Sequence, residues 1–415
     1  MTLRYFSLLP LLLSMGLTSA ADVAIPLVLP ESTALRWLTN DPALVSADNA
    51  LAAANIEANQ QALSPYDWVA NGTYQRRDTG TGSNSNEWNV GLERTFRLPN
   101  KVKADEASAK AIRLIAPAEY KQARREAAEA LLNAWFDWLA ADARKTLLLS
   151  QQSSIEDNVA VVGKRVKSGD AAVLEQRLAS AELIAIQRQV SEAKNAEVTA
   201  WTFLAARYQA TEEAKTTALP EPIAVPQDLS WWQTRMLAVN DQLTLAQAQV
   251  ASAEALAQRA KAEQRPDPTF GVFTGREAYG SEKLIGVTAS IPITSKRRSL
   301  EVERQQAQVN VARQNLTLTE REQRAAIQAS YTAAMGYFER WQLAQQAATT
   351  LFDNAKLTQK AYQLGEGDVQ LLLLARRQAL VAAEDATSAK VAALRSYYRL
   401  LVNAKLPTIV KLVVV

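Results

Sequence analysis

The chain of 415 residues contains no cysteine and no histidine. Without cysteine there is neither a disulfide framework nor a thiol to carry an N-terminal lipid, so stability has to come from packing and assembly. Without histidine the commonest general base and the commonest transition-metal ligand are missing, and no catalytic, cofactor or metal site is expected. Nor is there an excess of charge of one sign: 46 basic residues stand against 43 acidic ones, spread along the chain, which argues against nucleic acid as a partner. Long apolar runs are also lacking. Beyond the N-terminus no stretch of about 18 apolar residues occurs, so any passage through a bilayer has to be made by strands. No Gly-rich phosphate loop is present, which leaves nothing to bind nucleotide.

The N-terminus presents Arg4, an apolar run from Leu8 to Leu13, and the small residues Thr18, Ser19, Ala20 and Ala21. This is the layout of an export signal over residues 1–21, cleaved after Ala20 or Ala21. Glycine and proline, 14 of each, are unevenly placed and divide the rest of the chain. Ala118 to Leu219 and Ile293 to Leu406 hold no proline and few glycines and are dense in Ala, Leu, Glu, Gln, Lys and Arg, which predicts long helices. Eight glycines fall within residues 66–98 and 269–293. There Tyr66, Trp68, Ala70, Gly72 and Tyr74 alternate with polar positions, as do Trp88, Val90, Leu92 and Phe96, and later Phe270, Val272, Ile285, Val287 and Ala289. A period of two predicts strands at 66–76, 87–98, 269–277 and 283–293.

The two windows superpose. Gly91, Leu92, Phe96, Leu98 and Lys101 match Gly286, Val287, Ile291, Ile293 and Lys296; Asn40 and Asp41 match Asn240 and Asp241; Gly169, Val173 and Ala179 match Gly365, Val369 and Ala375. The chain is an internal duplication. A first repeat spans 22–219, a proline-rich linker 220–230, a second repeat 231–406, and an apolar tail 407–415. Each repeat reads helix, strand, strand, long helix, glycine turn, long helix. The stretch from Ala104 to Ser168 alone spans roughly 100 Å at 1.5 Å per residue, allowing for a bend at Pro117. Ile155, Val159, Val162 and Val166, and after the turn Leu174, Leu178, Ala181 and Ala185, recur at coiled-coil spacing, and such seams ask for neighbouring helices. The Trp135, Phe136 and Trp138 group reads as helix packing.

Strands of about ten residues with apolar and polar alternation have the length and pattern of a membrane barrel wall; soluble hairpins packed on helices fit the periodicity equally. Four strands cannot close a barrel, and an open edge facing lipid is not tolerated, so a membrane reading requires several copies. Two copies give eight strands and a filled interior, three give twelve and a lumen, and a helical tunnel below the barrel favours three.

The order of signal, duplication, paired strands and glycine-turned helical hairpins resembles the TolC family of outer-membrane efflux proteins over nearly the whole mature chain. Arg94-Thr95-Phe96-Arg97-Leu98-Pro99-Asn100-Lys101 resembles the strand exit of its CzcC-like, heavy-metal efflux branch, with Asn100 in place of the usual glycine. The resemblance implies a mainly helical, TolC-like protomer of two long helical hairpins and four strands. It also implies a homotrimer with a twelve-stranded barrel and an α-helical barrel, in the outer membrane of a Gram-negative bacterium. It makes the protein the passive exit duct of a tripartite system with a periplasmic adaptor and an inner-membrane transporter of the RND type, and divalent metal cations the expected cargo. Adaptor-docking tips are then expected at Arg165, Ser168, Gly169, Tyr362, Leu364 and Gly365, and a tunnel constriction at Glu175, Asp170, Glu366 and Asp368. Contacts with lipid at the membrane interface are expected from Trp68, Trp88, Phe96, Lys101, Lys296 and Arg297. A periplasmic coiled-coil adaptor or scaffold is the alternative. It would place one helical hairpin in a β-rich body rather than two equivalent strand pairs among helices.

Overall fold

The structure, a computed structural model, describes residues 29–78, 80, 82, 84–210, 219–293 and 295–406; the expected export signal and the 407–415 tail lie outside them. The chain runs α1 (Glu31–Thr39), α2 (Pro42–Gln61), β1 (Trp68–Asp78), β2 (Asn84–Thr95), α3 (Pro99–Ser168) and α4 (Val173–Tyr208). The order then returns as α5 (Leu229–Ala238), α6 (Asp241–Ala262), β3 (Thr269–Glu277), β4 (Glu282–Ser290), α7 (Lys296–Gln363) and α8 (Val369–Asn403). The matched Asn-Asp pairs start matching helices, with the cap on the second residue in one repeat and on the first in the other. The Asp41 carboxylate accepts from Ala43 N–H at the start of α2, and the Asn240 side chain accepts from Leu243 N–H at the start of α6, each satisfying an orphan donor of the first turn. Asp41 also pairs with Arg207 at the end of α4 (2.8 Å), and Asp241 with Lys405 just past α8 (2.7 Å). The same tie between an early helix and the last one is thus made in both repeats.

At 70 and 68 residues, α3 and α7 are each about 100 Å long. Pro117 lies within α3. It removes one backbone hydrogen bond and is tolerated because its neighbours Ala116 and Ala118 are buried in the packed face.

The four strands form one antiparallel sheet in the order β1-β2-β3-β4. β3 has the bounds the alternation gives, whereas those of the other three strands differ by one to three residues. β2 starts at Asn84 because Ser85 and Asn86 continue the ladder opposite Arg77 and Arg76. It stops at Thr95, so Phe96 lies just past it, with its N–H on the carbonyl of Pro268 (2.9 Å).

The largest core sits where the helices pass a belt made by α1, α5 and the 219–228 segment. Trp135, Phe136 and Trp138 of α3 are fully buried at its centre. Trp135 meets Trp37 of α1 (5.7 Å) and Trp138 meets Trp201 of α4 (5.3 Å), while the indole N–H of Trp138 donates to Glu197 (2.9 Å). A second core, Leu148, Ile155, Ile186, Val190 and Ala193, joins α3 to α4 further along the hairpin. On α4 the buried stripe runs through Ala179, Ile186, Val190 and Ala193, whereas Leu174 is exposed, and Leu178, Ala181 and Ala185 face the cavity between the two hairpins. Four long helices share two contact directions, and the Leu178, Ala181 and Ala185 stripe faces the second hairpin.

Candidate functional site

Strand pairing sorts the sheet residues into two faces. Trp68, Ala70, Gly72 and Tyr74 stand beside Arg94, Leu92, Val90 and Trp88, then Phe270, Val272, Thr274 and Arg276, then Ala289, Val287, Ile285 and Lys283. This face is apolar through its middle and uncovered: Ile285 is 89% and Val287 82% exposed. The other face carries Asn71, Thr73, Gln75, Glu87, Asn89, Glu93 and Thr288, and there the Phe273 ring lies over Gly286, where a Cβ would collide with it. Apolar outside and polar inside is the pattern of a barrel wall between lipid and a lumen. Leaving the apolar face in water is unfavourable, whereas lipid removes that cost. No described helix is long and apolar enough to cross a membrane.

Of the expected interface residues, Trp68, Trp88 and Phe96 are exposed on this sheet or at its end, and Lys296 and Arg297 are exposed at the start of α7. Lys101 is not. Its ammonium is buried between Glu263 (2.8 Å) and Asp267 (3.0 Å), inside a network that also holds Arg97, Asp105, Arg259 and Tyr66. Arg97 reaches Asp105 (2.8 Å) and Asp267 (3.1 Å), Arg259 reaches Asp105 (2.8 Å), and the Tyr66 hydroxyl donates to Asp267 (2.9 Å). The cause is the register of β2 with β3: it brings the strand exit into α3 against the end of α6, and a cation there meets carboxylates before it meets lipid. Burial alone would raise the Asp267 carboxyl. Hydrogen bonds from Leu98 N–H, Lys101, Tyr66 and Arg97 outweigh it and hold the group below its ordinary value.

At the far end of the hairpins the two turns have one geometry. Gly169 and Gly365 take φ of 83° and 81°. Asp170 N–H bonds to the Arg165 carbonyl and Gly169 N–H to Val166, as Glu366 N–H does to Ala361 and Gly365 N–H to Tyr362. These are paired C-terminal caps, and left-handed backbone at their centre is what glycine adopts without strain. Ser168, Asp170, Leu364, Glu366 and Asp368 lie around them, all exposed. Between the turns the hairpins are tied together: the Arg165 guanidinium lies over the Tyr362 ring at 5.0 Å, and the buried Tyr362 hydroxyl donates to Glu175 of α4. Burial, then the bond to Glu175, pushes the Tyr362 hydroxyl up to about 12. Glu175 is therefore engaged by the second hairpin of its own chain. Sequence reasoning singled out all three residues but not their contact. The groups it missed altogether are Glu182 and Arg376, further along the same inter-hairpin face, which no repeat match or spacing marks.

The chain is thus a mainly helical body that ends in an open sheet with one lipid-compatible face. Residues 36–207 match the family described as outer membrane efflux protein. No curated protein matches the chain in a sequence comparison. Among solved structures the fold is similar to the CmeC outer-membrane channel of Campylobacter jejuni, with a TM-score of 0.76 at 16% identity over 90% of this chain and 84% of that one. It is similar to the outer membrane protein VceC of Vibrio cholerae, with 0.74 at 18% over 90% and 95%. The open state of the MtrE outer-membrane channel of Neisseria gonorrhoeae matches with 0.64 at 17% over 90% and 88%. The outer membrane efflux match thus covers the first repeat, and the chain as a whole has the fold of these outer-membrane channels. The family is one of channels, not of enzymes.

Proposed function

We propose that three copies close a twelve-stranded barrel continued by a helical tunnel. It would form the passive outlet of a tripartite efflux system with a periplasmic adaptor and an inner-membrane transporter of the RND type. The observation that carries this reading is the open four-stranded sheet: both edges, β1 and β4, lack a neighbour among the described residues, and in lipid each needs one. The adaptor docks at the paired turns, where Ser168, Gly169, Leu364 and Gly365 are exposed beside Arg165 and Tyr362. The Arg165–Tyr362–Glu175 contact holds the two hairpins of one chain together at that tip. Asp170, Glu366 and Asp368 place carboxylates around the opening and favour cations in transit.

Divalent heavy-metal cations are the proposed cargo. The strand exit on which the metal-branch resemblance rests is occupied by the buried ion-pair network, so cargo is read instead from the acidic tip, and no residue need bind the ion on its way. Two measurements test the reading: the mass of the detergent-solubilised protein, expected to be three chains recovered from outer-membrane fractions, and the metal sensitivity of a deletion strain, expected to rise. A monomer that stays soluble without detergent contradicts the assembly. Unchanged metal sensitivity beside raised sensitivity to organic toxicants contradicts the cargo alone.

A further inference from the structure

Between the two helical hairpins, past the tip contact, α3, α4, α7 and α8 line a half-open cavity of about 830 Å³, within the size range of small-molecule sites. Its floor is aliphatic, with Ile155 and Ile186 from the second core and Leu380 packed against them. Phe352 forms part of its wall. Two buried polar atoms in that wall have no hydrogen-bond partner: Glu182 Oε2 on α4 and Arg376 Nη1 on α8. Buried polar atoms are nearly always satisfied, and a charged pair facing one cavity without touching leaves space for a group that satisfies both. The other charges lining the cavity are Arg377 of α8 and Lys356 of α7, the latter 4.3 Å from the Phe352 ring centre. α3 contributes the neutral Gln151 and Ser154. Three cations against one carboxylate make this an anion's site.

We propose that this inter-hairpin cavity binds a small amphiphilic carboxylate, its head on the Arg376 guanidinium and its apolar body against Ile155, Ile186 and Phe352. Arg376 presents a planar fork of donors that matches a carboxylate. Glu182 joins when protonated, donating its hydroxyl to the ligand. Burial pushes its carboxyl up against the pull of Arg376 and Arg377, and burial pushes the Arg376 guanidinium down. Both groups are thus short of a partner that an anion with an adjacent proton supplies. Bound there, the ligand connects α4 to α8 and reinforces the contact between hairpins made nearer the tip by Tyr362 and Glu175.

The test is calorimetric titration of naphthoate, an aromatic carboxylate, into the full-length protein in non-ionic detergent, with protein-free micelles as reference. Saturable binding at one site per chain is expected. It should weaken as pH rises and Glu182 ionises, because a carboxylate beside a carboxylate is repelled. Arg376→Gln should lower the affinity about tenfold or more, the loss of a charge-assisted pair. Glu182→Gln should keep binding and flatten its pH dependence. Ala348→Trp, which fills the cavity from α7, should abolish binding without removing any charge, and so guards against an Arg376 variant that merely misfolds. Heats indistinguishable from micelles, or equal for wild type, Arg376→Gln and Ala348→Trp, would overturn the site. Conductance of the same preparation reports on the channel independently.

Discussion

Asp267 belongs to the second repeat, and its donors Tyr66, Arg97, Leu98 and Lys101 all belong to the first. Removing its charge leaves Lys101 with Glu263 alone and Arg97 with Asp105 and Glu263, one carboxylate fewer for two buried cations. Asp267→Asn is therefore expected to destabilise the protein by about 1.5–3 kcal/mol, read as a lower urea midpoint. The pH dependence has a definite sign. Asp267 titrates below its unfolded value, so its contribution is complete above about pH 4 and is lost as pH falls through the lower folded value; the mutant should lose that acid limb. At the tip, Tyr362→Phe removes the bond to Glu175 and leaves the ring under Arg165. A hydrogen bond to a charged group contributes about 1.5–3 kcal/mol, so the variant is expected to raise the open probability of the channel about tenfold or more, measured as single-channel activity. Because the folded pKa of Tyr362 is raised, its contribution holds below about pH 10 and is lost as pH rises through about 12. The wild-type channel activity should therefore show no alkaline rise in the neutral range through this contact. Neither cluster was legible beforehand. Arg97 meets Asp267 across 170 residues and Tyr362 meets Glu175 across 187, and no local periodicity encodes such distances. Lys101, read as a headgroup anchor because it follows a strand, shows the error that results.

At the scale of elements, local chemistry was sufficient. The period-two alternation placed Trp68, Val90, Val272 and Val287 on one face before any pairing was known, and the glycines at 169 and 365 placed both turns. What alternation does not give is where a ladder stops, since Ser85 and Asn86 pair although their side chains are polar. It also does not show which of two neighbours a helical stripe serves, as with Leu178, Ala181 and Ala185. The duplication has a consequence for contacts between copies. Ala70 opposes Leu92 in the first hairpin, and Val272 opposes Val287 in the second, so Ala70 corresponds to Val272 and Leu92 to Val287. Between the hairpins Leu92 opposes Val272. If the same step is repeated between copies, Val287 of β4 opposes Ala70 of β1 in the next copy, and Ile285 opposes Gly72, large against small.

In this cysteine-free chain, Ala70→Cys with Val287→Cys should form disulfides between chains, seen as covalent multimers on a non-reducing gel. Pairing Val287→Cys with Trp68→Cys or Gly72→Cys should not, since diagonal neighbours about 7–8 Å apart lie beyond disulfide reach. Cross-linking strongest in a diagonal pair would contradict the register. Within one chain the two edge strands are about 14 Å apart across three strand spacings, too far for an internal bond.

On the scale of the whole molecule, the protein is two copies of one unit that need each other. The repeats share the belt core around Trp135 and Trp138, the buried network at the strand exits, and the tip contact, so each level from membrane to tip is built across the internal boundary. That arrangement makes the protomer a segment of wall rather than a closed body, and an apolar sheet face with open edges is stable only when further copies and lipid complete it. Completion is expected to produce a conducting duct. The direct measurement is the conductance of the purified protein in planar bilayers. Discrete ion-conducting steps from a trimer, made more frequent by Tyr362→Phe, are the expected result; a protein that assembles in lipid and never conducts, with or without that substitution, would contradict it.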